Sequence, residues 1–75
     1  MSESQPAGAI DIRLNGQPHA ARAGQTVTDL LEELGLDPRV LVVEMNRQII
    51  RQTELGEIRL EAGDVIELVH FVGGG

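Results

Sequence analysis

The hydrophobic residues of this chain follow two different spacings, one typical of strands and one typical of a helix. In the segment AIDIRL, residues 9–14, every second residue is apolar, and Asp11 and Arg13 occupy the positions between them. Because successive side chains of an extended chain point to opposite faces, this alternation predicts a half-buried strand. The apolar face of that strand comprises Ile10, Ile12 and Leu14.

A hairpin is predicted directly after this strand. The pair Asn15-Gly16 tolerates positive φ at both central positions of a type I′ turn. The segment QPHAA, residues 17–21, then returns as the second strand. Pro18 has no amide hydrogen to donate to a neighbouring strand, so we expect this second strand to lie at an edge of the sheet or to pair only through its later residues.

The helical spacing is found in GQTVTDLLEELGL, residues 24–36. Thr26 or Thr28 can cap the first turn, and Asp29 complements the positive end of the helix dipole. Gly35 supplies a left-handed residue that ends the helix, and Pro38 prevents the helix from resuming. The apolar stripe at positions i, i+3, i+4 and i+7 consists of Val27, Leu30, Leu31 and Leu34.

The second half of the chain predicts three more strands. Residues 40–45, VLVVEM, form a β-branched run typical of a central strand, and a turn at Asn46-Arg47 leads into the short strand QII, residues 48–50. A helical turn is expected at residues 53–55, a buried anchor at Leu60 and a turn at residues 61–64. The last strand, DVIELVHFV, covers residues 64–72 and continues directly into three glycines.

The order of these elements predicts an α+β domain of the β-grasp type, in which a mixed sheet of four to five strands packs on one amphipathic helix. A crossover between two hairpins makes the first and last strands parallel neighbours in the middle of the sheet. We expect a disordered leader at residues 1–8, the β-grasp domain at residues 9–72 and a flexible glycine tail at residues 73–75.

Composition narrows the range of functions. The 75 residues carry 12 acidic and six basic side chains, a net charge of −6, and Phe71 is the single aromatic residue. This argues against nucleic-acid binding, which needs clustered basic groups and stacking surfaces. With no cysteine, disulfides and thiol chemistry are excluded. No apolar run is long enough to span a membrane, so a soluble cytoplasmic protein is expected.

Motifs for catalysis or metal binding are missing from the chain. There is no phosphate-binding glycine loop, zinc-ligand spacing or nucleophile elbow. His19 and His70 are expected to be ordinary strand residues, and Glu32 and Glu33 to be solvated on the helix. We therefore predict no catalytic residue, no metal site and no bound cofactor.

The C-terminal glycines offer different chemistry. Because glycine has no side chain, Gly73, Gly74 and Gly75 can thread through a channel too narrow for other residues. The carboxylate of Gly75 is ionised at neutral pH and is a poor electrophile, so acyl chemistry there requires activation by another enzyme. Next to this tail, Val69, Phe71 and Val72 are candidates for docking on a partner, although positions on a last strand are as often core residues.

At this point the sequence resembles the ThiS-type sulfur carrier proteins of thiamine biosynthesis, which are ubiquitin-like. The resemblance covers IRLNGQ, AGQTVTDLLEELGL, VVEMNRQII and LEAGDVIELVHFVGGG, nearly all of residues 10–75. Two departures are a longer leader and the lack of a Pro-Arg pair and an aromatic residue after the fourth strand. Neither departure affects the glycine tail.

The resemblance implies a sequence of reactions at Gly75. A ThiF-type adenylating enzyme uses ATP to adenylate its carboxylate, and a sulfur donor fed by a cysteine desulfurase system replaces the adenylate to leave a thiocarboxylate. A ThiG-type thiazole synthase then takes the sulfur. In this role Gly74 is the essential neighbour of Gly75, and the protein is a monomeric co-substrate, not an enzyme.

Three alternatives remain open at the level of sequence. The small subunit of molybdopterin synthase shares the fold, the Gly-Gly end and the thiocarboxylate. A protein modifier would join Gly75 to a lysine of a target protein. A passive β-grasp interaction module would make no use of the tail.

Overall fold

A computed structural model describes residues 8–70 of the chain. Over this range the chain forms five strands, one α-helix and two short 3-10 turns. The predicted leader lies outside the described residues except for Gly8, whose carbonyl accepts a hydrogen bond from the amide of Ala23. The elements are β1 (Ala9–Leu14), β2 (Gln17–Arg22), α1 (Val27–Leu34), β3 (Leu41–Met45), β4 (Gln48–Ile50) and β5 (Val65–His70), with 3-10 turns at Pro38–Val40 and Gln52–Glu54.

The five strands form one mixed sheet in the order β2-β1-β5-β3-β4. Strands β1 and β5 are parallel, and the other neighbouring pairs are antiparallel. The prediction that the first and last strands are parallel neighbours is therefore confirmed, as is the edge position of the strand that contains Pro18. Asn15 and Gly16 have φ values of 53° and 82°, which confirms a turn with positive φ at both central positions.

Helix α1 packs on one face of the sheet and encloses the core. The stripe Val27, Leu30 and Leu31 is completely buried, whereas Leu34 at the end of the helix is 36% exposed. Leu60 is buried as predicted. The core consists of Ile12, Ala21, Val27, Leu30, Leu31, Leu41, Val43, Met45, Leu55, Leu60 and Ile66.

The region after the helix differs from the prediction by one residue. Gly35, with a φ of 73°, ends α1 as expected. Pro38, however, begins a 3-10 turn, and the Asp37 carboxylate caps this turn by accepting a hydrogen bond from the amide of Arg39. Val40 belongs to the turn and is 42% exposed, so β3 begins at Leu41 instead of Val40. Proline suits the first position of a helical turn because its missing N–H has no partner there.

The first turn of α1 is closed by a reciprocal pair of hydrogen bonds. The Thr26 hydroxyl accepts from the amide of Asp29, and the Asp29 carboxylate accepts from the amide of Thr26, each at 3.1 Å. The bond from the Thr26 backbone is the main cause that lowers the pKa of Asp29. This contribution to stability is therefore present above the unfolded-state pKa of the carboxyl group and is lost as the pH falls below it.

Replacement of Thr26 by Ala is expected to lower the free energy of unfolding by about 1 kcal/mol, because the amide of Asp29 loses its acceptor. Urea denaturation followed by circular dichroism measures this change. Thr53→Ala is the control, because Thr53 is exposed and its side chain forms no hydrogen bond within residues 8–70. Equal effects of the two substitutions would contradict the capping role.

Candidate functional site

Strand β5 carries the chain from the centre of the sheet toward the C-terminus. Its side chains alternate between the two faces of the sheet. Ile66 is completely buried and Leu68 is half-buried against the core, whereas Val65, Glu67 and Val69 are exposed on the face away from the helix. Since β5 lies between β1 and β3, the segment leading to the C-terminal residues starts from the most interior strand of the fold.

The two neighbours of β5 do not extend equally far along it. Pairing with β1 ends where Leu14 lies opposite Ile66. Pairing with β3 continues until Leu41 lies opposite His70. The last part of β5 therefore projects beyond β1 and has a neighbouring strand on one side only.

Two asparagine side chains bind the backbone of β5 from the two hairpin turns. The Oδ1 atom of Asn15 accepts a hydrogen bond from the amide of Leu68 at 2.8 Å. The Oδ1 atom of Asn46 accepts one from the amide of Val65 at 2.9 Å. Both asparagines have positive φ, 53° for Asn15 and 51° for Asn46. The turns thus hold β5 near both ends.

The outward face of the sheet combines apolar residues with two glutamates. Val69 lies opposite Val42, and next to them Glu67 lies opposite Glu44. Val69 is 57% exposed and Ile49 is 72% exposed. Neither glutamate forms an ion pair within residues 8–70. Like charges directly opposite on adjacent strands repel each other, so this pair does not stabilise the fold.

Of the residues predicted for the site, Val69 is the one that the structure describes. Its exposure shows that it is not part of the core. Phe71, Val72 and the three tail glycines, Gly73, Gly74 and Gly75, lie outside the described residues, and their predicted roles are considered below as proposals.

The other polar candidates do not form a reaction centre. His19 lies on the edge strand β2 and His70 at the end of β5. Oε2 of Glu33 lies 2.6 Å from Nη1 of Arg22, and the two side chains form an exposed ion pair. In the part of the chain that the structure describes, no group of three His, Cys, Asp or Glu side chains could hold a metal ion. Over the same residues, no helix is long and apolar enough to cross a membrane.

The sequence pattern did not predict the structural roles of three polar residues. It assigned Asn15 and Asn46 to turns but did not predict their bonds to β5. It also missed Gln25, which is only 4% exposed and accepts a hydrogen bond from the amide of Arg22 through Oε1. No pattern in the sequence distinguishes a buried glutamine before a helix from a solvated one.

The fold and the position of β5 define the class: a ubiquitin-like β-grasp domain whose interior strand leads into a C-terminal glycine segment. A family model described as the ThiS family matches residues 12–75. The chain belongs to the ThiS family.

Individual relatives agree with this family. The chain is 46% identical over 50 residues to the sulfur carrier protein ThiS of Bacillus subtilis, an alignment covering 67% of this chain and 76% of the relative. It is 45% identical over 66 residues to a thiazole synthase of Magnetococcus marinus, covering 88% of this chain. The chain spans only 20% of the length of that thiazole synthase.

A solved structure is similar over the whole domain. The crystal structure of the thiamine biosynthesis protein ThiS from Geobacter metallireducens superposes with a TM-score of 0.78 at 26% sequence identity. The match covers 88% of this chain and all of the other chain. This similarity agrees with the mixed five-stranded sheet and single helix.

Proposed function

We propose that this protein is a sulfur carrier of thiamine biosynthesis and that the carboxyl group of Gly75, in a chain that ends there, carries the sulfur. The observation that supports this most directly is the match of the ThiS family model to residues 12–75, which includes the three glycines. The position of β5 adds support, because the interior strand of the sheet leads toward these glycines.

The proposed chemistry begins with activation. A carboxylate oxygen of Gly75 attacks the α-phosphorus of ATP in a ThiF-type adenylating enzyme, and pyrophosphate leaves. A persulfide sulfur on a donor that a cysteine desulfurase charges then attacks the carbonyl carbon and AMP leaves, which gives an acyl disulfide. A thiol such as that of free cysteine attacks the donor-side sulfur of this disulfide and supplies the two electrons that release the acyl sulfur. The product is a C-terminal thiocarboxylate. The protein binds no cofactor of its own, and the ATP belongs to the activating enzyme.

The proposed acceptor of the sulfur is a ThiG-type thiazole synthase. Support comes from the Magnetococcus protein, in which a segment similar to this chain is part of a protein named thiazole synthase. The carrier itself acts as a co-substrate in this proposal, because the group that reacts is its own C-terminal carboxylate. We place this ATP-dependent exchange in the cytoplasm, with the carrier as a monomer.

An intact-mass measurement tests the proposed function. The 75-residue chain is incubated with ATP, the ThiF-type enzyme of the same organism, a cysteine desulfurase and cysteine. We expect a mass increase equal to the replacement of one oxygen atom by sulfur, located at Gly75 by fragmentation. Covalent products with other proteins would indicate a modifier instead, and an unchanged mass with an active adenylating enzyme would contradict the proposal.

The exposed strip around Val69 is the proposed docking surface for the enzymes that act on Gly75. Val69 lies only six positions before Gly75. At about 3.5 Å per residue, even a fully extended tail places Gly75 within roughly 20 Å of an enzyme that is bound at Val69. The strip consists of Val69, the half-buried Val42 opposite it, and Ile49, which lies opposite Glu44 and diagonal to Val42. Phe71 and Val72 continue the chain from this strip toward the glycines and are proposed as further contacts.

Replacement of Val69 by Gln is expected to raise the KM of the adenylating enzyme for the carrier about fivefold, because burial of an apolar side chain is lost from the interface. Leu34→Gln is the matched control, since Leu34 is also partly exposed but lies on the helix, on the other side of the sheet. Steady-state kinetics with the carrier as the varied substrate give both values. Equal KM values for the two variants would exclude the strip as the docking surface.

A further inference from the structure

The most specific contact near the proposed site joins two residues that are far apart in the chain. Asn15 and Leu68 are separated by 53 positions, and their hydrogen bond of 2.8 Å connects the first hairpin turn to the end of β5. The amide of Asn15 also donates to the carbonyl of Ile66 at 2.9 Å. One residue thus supplies both a donor and an acceptor to consecutive groups on the same edge of β5.

This arrangement imitates one more residue of a parallel strand pair. In a parallel pair, a residue donates its N–H to one carbonyl of the neighbouring strand and accepts, through its own carbonyl, from the amide two residues further along. Asn15 makes the first of these bonds with its backbone. Because its φ of 53° takes the backbone into the turn, the side-chain oxygen takes the place of the backbone carbonyl.

The contact lies where the sheet stops holding β5 from both sides. Beyond Ile66, β1 has no further residue in register with β5, and Val69 and His70 pair with β3 alone. The amide of Leu68 is therefore the last group of β5 that is held on the β1 side within the described residues. Leu68 lies seven positions before Gly75, so the direction of β5 at Leu68 sets where the C-terminal segment begins.

From this geometry we infer that Asn15 is a positioning residue for the C-terminal segment. Its side chain holds β5 at Leu68, so the segment that precedes the glycines starts from a fixed point and in a fixed direction on the domain. Orientation of a reactant in advance lowers the entropic cost of reaching the reactive geometry. The inference rests on the proposed function, because the role of Asn15 is to present Gly75.

The chain itself provides a matched control at the other end of the same strand. Asn46 has nearly the same φ, and its side-chain Oδ1 accepts from the amide of Val65 while its side-chain Nδ2 donates to the carboxylate of Asp64. Glycine at either position keeps the positive φ and removes the side-chain acceptor. Asn46→Gly thus disturbs β5 far from the tail, and Asn15→Gly disturbs it next to the tail.

The test compares Asn15→Gly, Asn46→Gly and Asn15→Asp in the full chain, at a temperature where all three are folded. The rate of ATP–pyrophosphate exchange by the ThiF-type enzyme gives kcat/KM for each variant, and amide hydrogen exchange reports on residues 68–70. For Asn15→Gly we expect kcat/KM to fall about fivefold and exchange at Leu68 to rise by a similar factor, as for the loss of one hydrogen bond. Asn15→Asp keeps an oxygen acceptor and retains most of the wild-type kcat/KM.

Asn46→Gly is expected to lower the thermal midpoint at least as much as Asn15→Gly while changing kcat/KM less than twofold. Equal losses of kcat/KM in the two glycine variants would show a purely structural role and would overturn the inference. So would a wild-type kcat/KM in Asn15→Gly. A wild-type chain that the enzyme does not adenylate would contradict the proposed function itself, which is a distinguishable result.

Discussion

Deletion of Gly75 is expected to abolish sulfur loading of this protein while the folded domain keeps its stability. The proposed chemistry requires an unhindered carboxylate at a fixed distance from the docked domain, and the shortened chain places its carboxylate one residue, about 3.5 Å, short of the ATP. A displacement of only about 1 Å from the reactive geometry can reduce a rate by a factor of about 100. Intact mass after incubation with ATP, the ThiF-type enzyme and the sulfur source gives the loaded fraction.

A second variant, compared with the shortened chain, separates the position of the carboxylate from its presence. A chain extended by one alanine after Gly75 places its carboxylate one residue beyond the reactive position. We expect that this chain also remains unloaded. Both chains keep the surface around Val69, so each should inhibit loading of the wild-type protein competitively. Sulfur found on Gly74 of the shortened chain, at the wild-type rate, would contradict the required length of the tail.

Much of the fold could be predicted because its signals are local. The strand at residues 9–14 follows from a period of two residues, the helix at residues 27–34 from a period of 3.6 residues, and the turn from the tolerance of Asn15-Gly16 for positive φ. Each of these elements occurs in the structure, although Leu34 of the predicted stripe is 36% exposed. The start of β3 at Leu41 was missed because a β-branched residue such as Val40 suits a strand equally well. The 3-10 turn that contains Val40 depends on the cap from Asp37, whose effect a hydropathy pattern does not contain.

Of the candidate site, too, only the part with a local signal could be predicted from the sequence. The three glycines are visible in the composition of the last residues, and their function is predicted from that composition together with the resemblance. The contact between Asn15 and Leu68 is not visible, because the sequence contains nothing that relates two residues 53 positions apart until the register of β1 and β5 is known. The exposure of Val69 likewise depends on which face of β5 meets the helix.

Replacement of Ile66 by Ala is expected to lower the free energy of unfolding more than the replacement of Thr26, because Ile66 is completely buried in the strand between β1 and β3. Removal of a buried isoleucine side chain to alanine costs about 2–5 kcal/mol. A domain of this size has a total stability of roughly 4–10 kcal/mol, so the variant is expected to be partly unfolded at 37 °C. Urea denaturation and thermal unfolding followed by circular dichroism measure the loss.

This substitution also tests how strand and tail are connected. If β5 serves only to carry and orient the glycines, the rate of sulfur loading of Ile66→Ala at each temperature should follow the fraction of folded protein. Val69→Ala, a truncation on the exposed face of the same strand, is the control and should change the free energy of unfolding by less than about 1 kcal/mol. Undiminished loading of largely unfolded Ile66→Ala would mean that the enzyme recognises the glycine tail alone, and the β-grasp domain would then have no part in presenting it.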